Sequence, residues 1–220
     1  MSTDDYTTIT LPVSSPDSLE RAAVFLRQGL VVAFPTDTVY GVGCNLWQPA
    51  AIERLYLAKQ RSHEMAIPVL VASLSAVYQV AQNLSESFEI LASRFWPGEL
   101  TLIVPRREQV PDILSAGGPT IAVRMPNHKV LLQLLGILGG ALAVTSANLS
   151  GRPSPCTVDE VLMDLYGRIP LILDGGQCSG GVASTIIDCV AQPPILLRTG
   201  NLSLATLRTV LPDIVEKTTR

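Results

Sequence analysis

The chain has 220 residues, 47% hydrophobic and 16% charged, which supplies a core and argues against global disorder. Its net charge of −3 argues against a protein that grips nucleic acid mainly through its overall field. Cys44, Cys156, Cys178 and Cys189 share no C-x-x-C spacing, and His63 and His128 lie in separate segments. Neither a zinc site nor a disulfide scaffold is therefore expected, and free thiols suit a reducing compartment.

The chain opens on MSTDDYTTIT, polar and acidic and so unlike a secretory leader. A first strand is expected over residues 8–13. Ser15 before Pro16 reads as an N-cap with proline at the first helical position, starting a helix that stops at Gly29. Residues 30–34 form an apolar strand that runs into Pro35, Thr36, Asp37 and Thr38, and Gly41 and Gly43 would let the chain turn back. Pro49 opens a helix through Ala58. Residues 67–72 read as a strand, with Pro68 marking an edge or an irregular start. Helical patterns cover 74–82 and 85–95, and strands at 100–104 and 120–124 flank a loop at 111–119. The stretch VLLQLLGILGGALAV (130–144) is broken by Gln133 and three glycines. It reads as part of a buried helix over 129–138, a turn at Gly139-Gly140 and a strand over 141–145, and nothing in the chain is long and apolar enough to span a membrane. A capping box, Thr157-x-x-Glu160, starts a helix over 158–166. Strands at 171–173, 185–188 and 195–197 and a short helix from Ser203 complete the pattern. Strands interleaved with helices imply one α/β or α+β domain over residues 1–220, with helical cover on a mixed sheet.

The common nucleotide motifs are missing: there is no G-x-x-x-x-G-K-[ST] and no G-x-G-x-x-G after a strand. GGQCSGG (175–181) has no lysine behind it and reads as a flexible turn. Polar residues instead gather just past the ends of apolar strands, where loops on a scaffold carry function. They are Thr36-Asp37-Thr38, Thr145-Ser146-Ala147-Asn148, Ser184-Thr185 and Arg198-Thr199-Gly200, with Lys59-Gln60-Arg61 at a helix end. In TIAVRM, alternation puts Thr120, Ala122 and Arg124 on one face and Ile121, Val123 and Met125 on the other. The second face is core. The first leaves room over the sheet beside a cation, which needs an anion from the protein or from a ligand. Each feature has a plainer alternative: Lys59 and Arg61 as complements to a helix dipole, Arg198 in a surface ion pair, residues 145–148 as an Asx turn, Arg124 paired with an internal Asp. The residues by themselves specify an α/β domain with a polar, cationic pocket suited to an anion.

The ordered blocks FPTDTVYGVG (34–43), KQR (59–61), IPVLVA (67–72), RFWPGELTLIV (94–104), TIAVRMPNH (120–128), VTSANLSGRPSP (144–155), GGVASTIID (180–188) and ILLRTG (195–200) carry a resemblance. Over about residues 15–205 the chain resembles the YrdC-like family, the L-threonylcarbamoyladenylate synthases. The resemblance implies a twisted mixed sheet with a concave cationic face. It implies a reaction in which L-threonine, bicarbonate and ATP give threonylcarbamoyl-AMP and pyrophosphate, with Mg2+ held mainly by phosphates. A downstream tRNA threonylcarbamoyltransferase machinery would then modify adenosine 37 of tRNA, with a weak direct RNA contact as an option. The family's K-x-R and S-x-N signatures match Lys59, Arg61, Ser146 and Asn148, implied to face nucleotide phosphates and the adenylate and to be catalytic. Arg124 matches the arginine that holds the threonine carboxylate; Thr36 or Thr38, with Ser184 and Thr185, would fix the rest of threonine. Thr120 and Arg198 match nucleotide-side positions.

Departures from the family pattern occur at Ser62, Met65, Leu70 and Glu99, the last expected to change only the surface. The length near 220 implies the short, single-domain form of the family. Rival readings are a double-stranded-RNA-binding relative, a carbamoyl-transfer domain of the hydrogenase-maturation type, and an inactive paralogue.

Overall fold

Alternation of side chains along the strands divides the interior in two. The computed structural model describes residues 6–179 and 181–217. The opening residues 1–5, the last three, and Gly180 of the GGQCSGG and GGVASTIID blocks lie outside them.

Eleven strands among the described residues form one mixed sheet in the order β1-β8-β2-β3-β7-β4-β6-β5-β9-β10-β11. They are β1 (Ile9–Pro12), β2 (Val32–Phe34), β3 (Gly41–Cys44), β4 (Val69–Val71), β5 (Leu100–Pro105), β6 (Thr120–Arg124), β7 (Ala141–Ser146), β8 (Leu171–Asp174), β9 (Thr185–Asp188), β10 (Ile195–Arg198) and β11 (Val215–Glu216). The helices are α1 (Ser18–Arg27), α2 (Pro49–Lys59), α3 (Leu74–Val80), α4 (Glu86–Phe95), α5 (Lys129–Ile137), α6 (Val158–Leu165) and α7 (Leu204–Arg208). None is long and apolar enough to cross a membrane among the described residues.

On one face, Val42, Val69, Val71, Leu100, Leu102, Val123 and Ala143 join residues of α2, α3 and α4 in the larger core. The alternate residues point the other way. There Val32, Phe34, Leu70, Leu142 and Val144 pack with Ala22, Ala23 and Leu26 of α1 and Leu131, Leu134 and Leu135 of α5. Each fully buried aliphatic side chain contributes about 1.5–3 kcal/mol. The second helical layer is short: α1 rests on β8 and β2 and α5 on β7 and β4, and the sheet beyond toward β6, β5 and β9 is left open.

Most of the elements expected from the sequence form, and the capping box of α6 has both of its hydrogen bonds. Four details differ. The helix after β1 begins at Ser18, with Asp17 at the N-cap position and no side-chain cap. Ser15 therefore caps nothing, and the Ser18 hydroxyl donates instead to the Pro12 carbonyl at 2.7 Å. Of the two readings of Pro68 the start of the strand holds and the edge does not: β4 lies inside the sheet between β7 and β6, and Pro68 precedes its first residue. The proline carbonyl still accepts the Val144 amide at 2.9 Å, so only its missing N–H had to be accommodated. The loop at 111–119 contains a single 3-10 turn, Asp112–Ser115.

The fourth difference concerns Gly41 and Gly43. They do not turn the chain back but form β3, antiparallel to both β2 and β7. A Cβ on Gly43 would stand 2.7 Å from the Ala143 carbonyl oxygen and 2.9 Å from Val144 Cγ2. One on Gly41 would stand 3.0 Å from Val144 Cγ1 and 3.2 Å from the Phe34 ring. The glycines are there because the strand face is filled by neighbours. Gly43→Ala should therefore lower stability by about 1–3 kcal/mol through overpacking. The check is urea unfolding, where the midpoint should fall with the slope unchanged.

Candidate functional site

The open part of the sheet is the floor of a cleft of about 390 Å³. Leu70, Ile103, Ala122, Val144 and Ile186 floor it, one each from β4, β5, β6, β7 and β9. Around them stand Thr36, Thr38, Thr101, Ser146 and Ser184 and the guanidinium groups of Arg61, Arg124 and Arg198. No aspartate or glutamate is among the described lining residues. The face expected to leave room beside Arg124 does so.

Arg124, at the end of β6, is buried. Its Nε donates to the Gly98 carbonyl at 2.9 Å, Nη1 to the Thr38 hydroxyl at 3.1 Å and Nη2 to Asp37 Oδ1 at 2.6 Å. The internal pairing with an aspartate, the plainer alternative, is thus present together with exposure to the cleft. Three of the five guanidinium donors are engaged in these bonds, which leaves one on each terminal nitrogen. That is the fork a carboxylate needs.

The hydroxyl knot resolves into two roles. Thr36 Oγ1 accepts the Thr38 and Val39 amides and donates to the Val39 carbonyl at 2.7 Å, closing its own turn. Thr38 Oγ1 bridges Thr36 Oγ1 at 3.0 Å and the guanidinium of Arg124. Of the two, Thr38 is coupled to the cation.

Across the cleft, Ser184 Oγ lies 2.7 Å from Thr101 Oγ1 and accepts Arg198 Nη2 at 3.2 Å, while its carbonyl accepts Arg198 Nε at 3.0 Å. Burial and then the charge of Arg124 pull the Arg198 pKa down, so the two arginines feel each other. Arg61 stands at the mouth. Its Nε and Nη2 donate to the carbonyls of Met65 and Ala66, and burial lowers its pKa. Met65, half exposed, brings a thioether to this rim, and Leu70 an aliphatic side chain to the floor. At the surface, Glu99 Oε2 accepts Asn201 Nδ2 at 2.8 Å, linking the start of β5 to the turn after β10.

Four expected site residues are not among those lining the cleft. Lys59 is the last residue of α2, and Gln60 behind it is left-handed at φ 51°. This reversal turns Lys59 inward and Arg61 toward the cleft. Lys59 is 1% exposed, and its Nζ donates to the Ser146 carbonyl and, at 2.5 Å, to the Asn148 carbonyl. Burial, then the neighbouring charge of Arg61, depress its pKa to about 7, against a smaller opposing effect of Asp164. Asn148 is buried and gives its Nδ2 to the carbonyls of Leu149 and Arg152, while its Oδ1 has no partner among the described residues. Thr185 Oγ1 holds the turn after β10, donating to the Leu202 carbonyl and accepting the Gly200 and Leu202 amides. Thr120 lies at the far end of β6, opposite Pro105.

Two roles escaped the sequence reading. Asp37 stands in the Thr36-Asp37-Thr38 cluster, but nothing local marks it as the aspartate that pairs with Arg124. Thr101 is the one polar residue in LTLIVP, on the same face as Ile103, and that alternation was its signal. His128 is structural, accepting the Leu131 amide through Nδ1 at the start of α5. No cluster of three His, Cys, Asp or Glu among the described residues could hold a metal.

Residues 24–200 match the family model Sua5_yciO_yrdC, which carries the description "Telomere recombination". The chain belongs to the Sua5/YciO/YrdC family. A threonylcarbamoyl-AMP synthase of Pyrococcus abyssi is 44% identical over 88% of this chain and 57% of its own length. One of Bacillus subtilis is 40% identical over 95% of this chain and 61% of its own. The chain thus spans about three fifths of these relatives' lengths. A crystal structure of P. abyssi Sua5 complexed with L-threonine superimposes with a TM-score of 0.91 at 40% identity, over 96% of this chain and 62% of that one. The Sua5/YciO/YrdC fold is the twisted mixed sheet that the sequence resemblance implied.

Lys59 makes stability depend on pH. Its folded pKa, about 7, lies below the 10.5 of the unfolded side chain, so above pH 7 the unfolded state binds more protons. Stability is lowest where both states are protonated and rises with pH, by up to about 1.4 kcal/mol per unit, until unfolded-state thiols ionise near about pH 8.5. Urea unfolding between about pH 7.5 and 8.5 should show this slope in the native protein and its loss in Lys59→Met.

Proposed function

We propose that the protein is an L-threonylcarbamoyladenylate synthase, joining L-threonine, bicarbonate and ATP into threonylcarbamoyl-AMP with release of pyrophosphate. One observation carries this reading: in a protein of net charge −3, three arginines and no acidic residue line a cleft of small hydroxyls over bare sheet. Such a site suits several anionic groups at once. The likeness to P. abyssi Sua5, crystallised with L-threonine, supports the choice of amino acid.

The free edge of Arg124 would take the threonine carboxylate in a two-point contact, with Thr38 beside it. Neutral amine adds to the bicarbonate carbon and water leaves, giving the carbamate. A carbamate oxygen then attacks the α-phosphorus of ATP in line, and the bond to pyrophosphate breaks. Negative charge on the phosphates is met by Arg198, braced by Ser184, and by Arg61. In the carbamate step the amine proton leaves with the departing hydroxyl as water; the attack on phosphorus moves no proton, and there the work is positioning and positive potential. Lys59 and Asn148 would serve this step from behind Ser146, by shaping the end of β7. Thr36 and Thr185 would support turns, and Thr120 would stand away from the substrates at the far end of β6. Magnesium would enter with ATP, on phosphate oxygens and water. The carboxylate at the cleft edge, Asp37, has both oxygens engaged, which supports that assignment.

Residues 15–205 would act as a single catalytic unit, passing product to a tRNA-modifying transferase in the cytoplasm. The four free cysteines suit that reducing compartment.

Pyrophosphate release from ATP should require both L-threonine and bicarbonate. Release without either, or salt-dependent RNA binding with no ATP turnover, would replace this reading with another. Arg124→Lys keeps a charge for Asp37 but loses the fork, and should weaken threonine binding by about 1.5–3 kcal/mol in calorimetry. Arg198→Ala should raise the KM for ATP and leave that for threonine nearly unchanged.

A further inference from the structure

Arg124 has more neighbours than a ligand contact requires, and they act on different parts of it. The Gly98 carbonyl fixes Nε, the Thr38 hydroxyl fixes one edge of Nη1, and the Asp37 carboxylate fixes one edge of Nη2 at 2.6 Å. The other oxygen of Asp37 accepts the Asn127 amide at 3.0 Å. Asp37 therefore joins two segments, the turn after β2 and the loop after β6, and Arg124 is held across that joint. The ion pair is almost out of solvent, with side chains 8% and 11% exposed.

Charge gives Asp37 a second effect. Arg124 and Arg198 share the cleft, and the charge of Arg124 opposes that of Arg198. Two guanidinium groups that share a cleft repel. A carboxylate behind Arg124 offsets that repulsion without entering the cleft, because Asp37 is not among its lining residues. An asparagine in its place could accept from Arg124 through its one oxygen, would set its NH2 against the Asn127 amide, and would lose the offset.

We infer that Asp37 is a positioning residue for the amino-acid substrate: it locks the Arg124 guanidinium so that its two remaining N–H bonds, one on each terminal nitrogen, point at the substrate carboxylate. This rests on the synthase reading above. Asp37 does not line the cleft, and its side-chain bonds go to Arg124 and to the Asn127 amide, both at the Arg124 end. Its loss is therefore felt at the threonine end of the cleft and not at the ATP end.

The test is steady-state pyrophosphate release by the full chain, titrating L-threonine and ATP separately. Asp37→Asn should raise the KM for threonine by about tenfold, the size of one lost charged hydrogen bond, with the KM for ATP within about twofold of native. Asp37→Glu restores the charge on a longer stem, and should bring the threonine KM back to about threefold above native. A threonine KM that stays native in folded Asp37→Asn overturns the inference, as does an equal rise in both KM values. If Asp37→Asn does not fold, Asp37→Glu carries the test, with a rise confined to threonine supporting the role and a parallel or absent rise overturning it. Native enzyme that releases pyrophosphate without threonine overturns the synthase reading itself, a result distinct from any behaviour of the variants.

Discussion

A sheet with helices over only part of one face must do something with the rest of that face. Here α1 covers β8 and β2 and α5 covers part of β7 and β4, and the sheet beyond them toward β9 is left bare between strand ends. Bare sheet in water is a liability if apolar and large, and a binding site if rimmed by polar groups. The rim is polar because strands β2, β6, β7 and β10 all end there, and each runs into its own loop of hydroxyls or cations. The pairing order of the strands, which no single segment encodes, turns four separate strand ends into one ring.

Holding cations in such a ring has a cost. Taking a charged group out of water is unfavourable by several kcal/mol unless it is hydrogen-bonded or paired. The protein meets this with backbone carbonyls more than with carboxylates. Lys59 is bound by two of them, Arg61 by two and Arg198 by one, and only Arg124 has a carboxylate partner. Carbonyls satisfy N–H groups without cancelling net charge, so the cleft stays positive in an acidic protein. Burial of Lys59 against Arg61 shows the limit of that strategy, since the ammonium is pushed to a pKa of about 7.

Much of the fold was legible in the chain. Apolar runs bounded by proline and glycine marked nine of the eleven strands, because buried strands need continuous apolar residues and turns need breakers. β3 was hidden because Gly-Val-Gly carries a turn signal, yet those glycines are required by side chains from β2 and β7 that only the folded sheet brings near. β11, two residues long, is too short to have a pattern. For the site, Arg124 could be read from alternation in one strand, and Thr101 could have been. The direction of Lys59 could not, since it depends on a left-handed turn at Gln60 and on carbonyls that arrive from a strand more than 80 residues away.

What the sequence determined by itself was the kind of molecule: an α/β domain, a cationic pocket suited to an anion, and a family resemblance carried by ordered blocks. Those follow from local physics, since periodicity, capping and turn chemistry act over a few residues. What the tertiary structure decided was the division of labour among the signature residues. Arg61, Arg124, Ser146 and Arg198 line the cleft, while Lys59, Asn148 and Thr185 stand behind it and hold the loops. A polar side chain reaches a ligand or a carbonyl according to which acceptor the packed sheet sets within 3 Å, roughly the reach of one hydrogen bond. Strand order and burial choose that acceptor, and both exist only once the chain has folded.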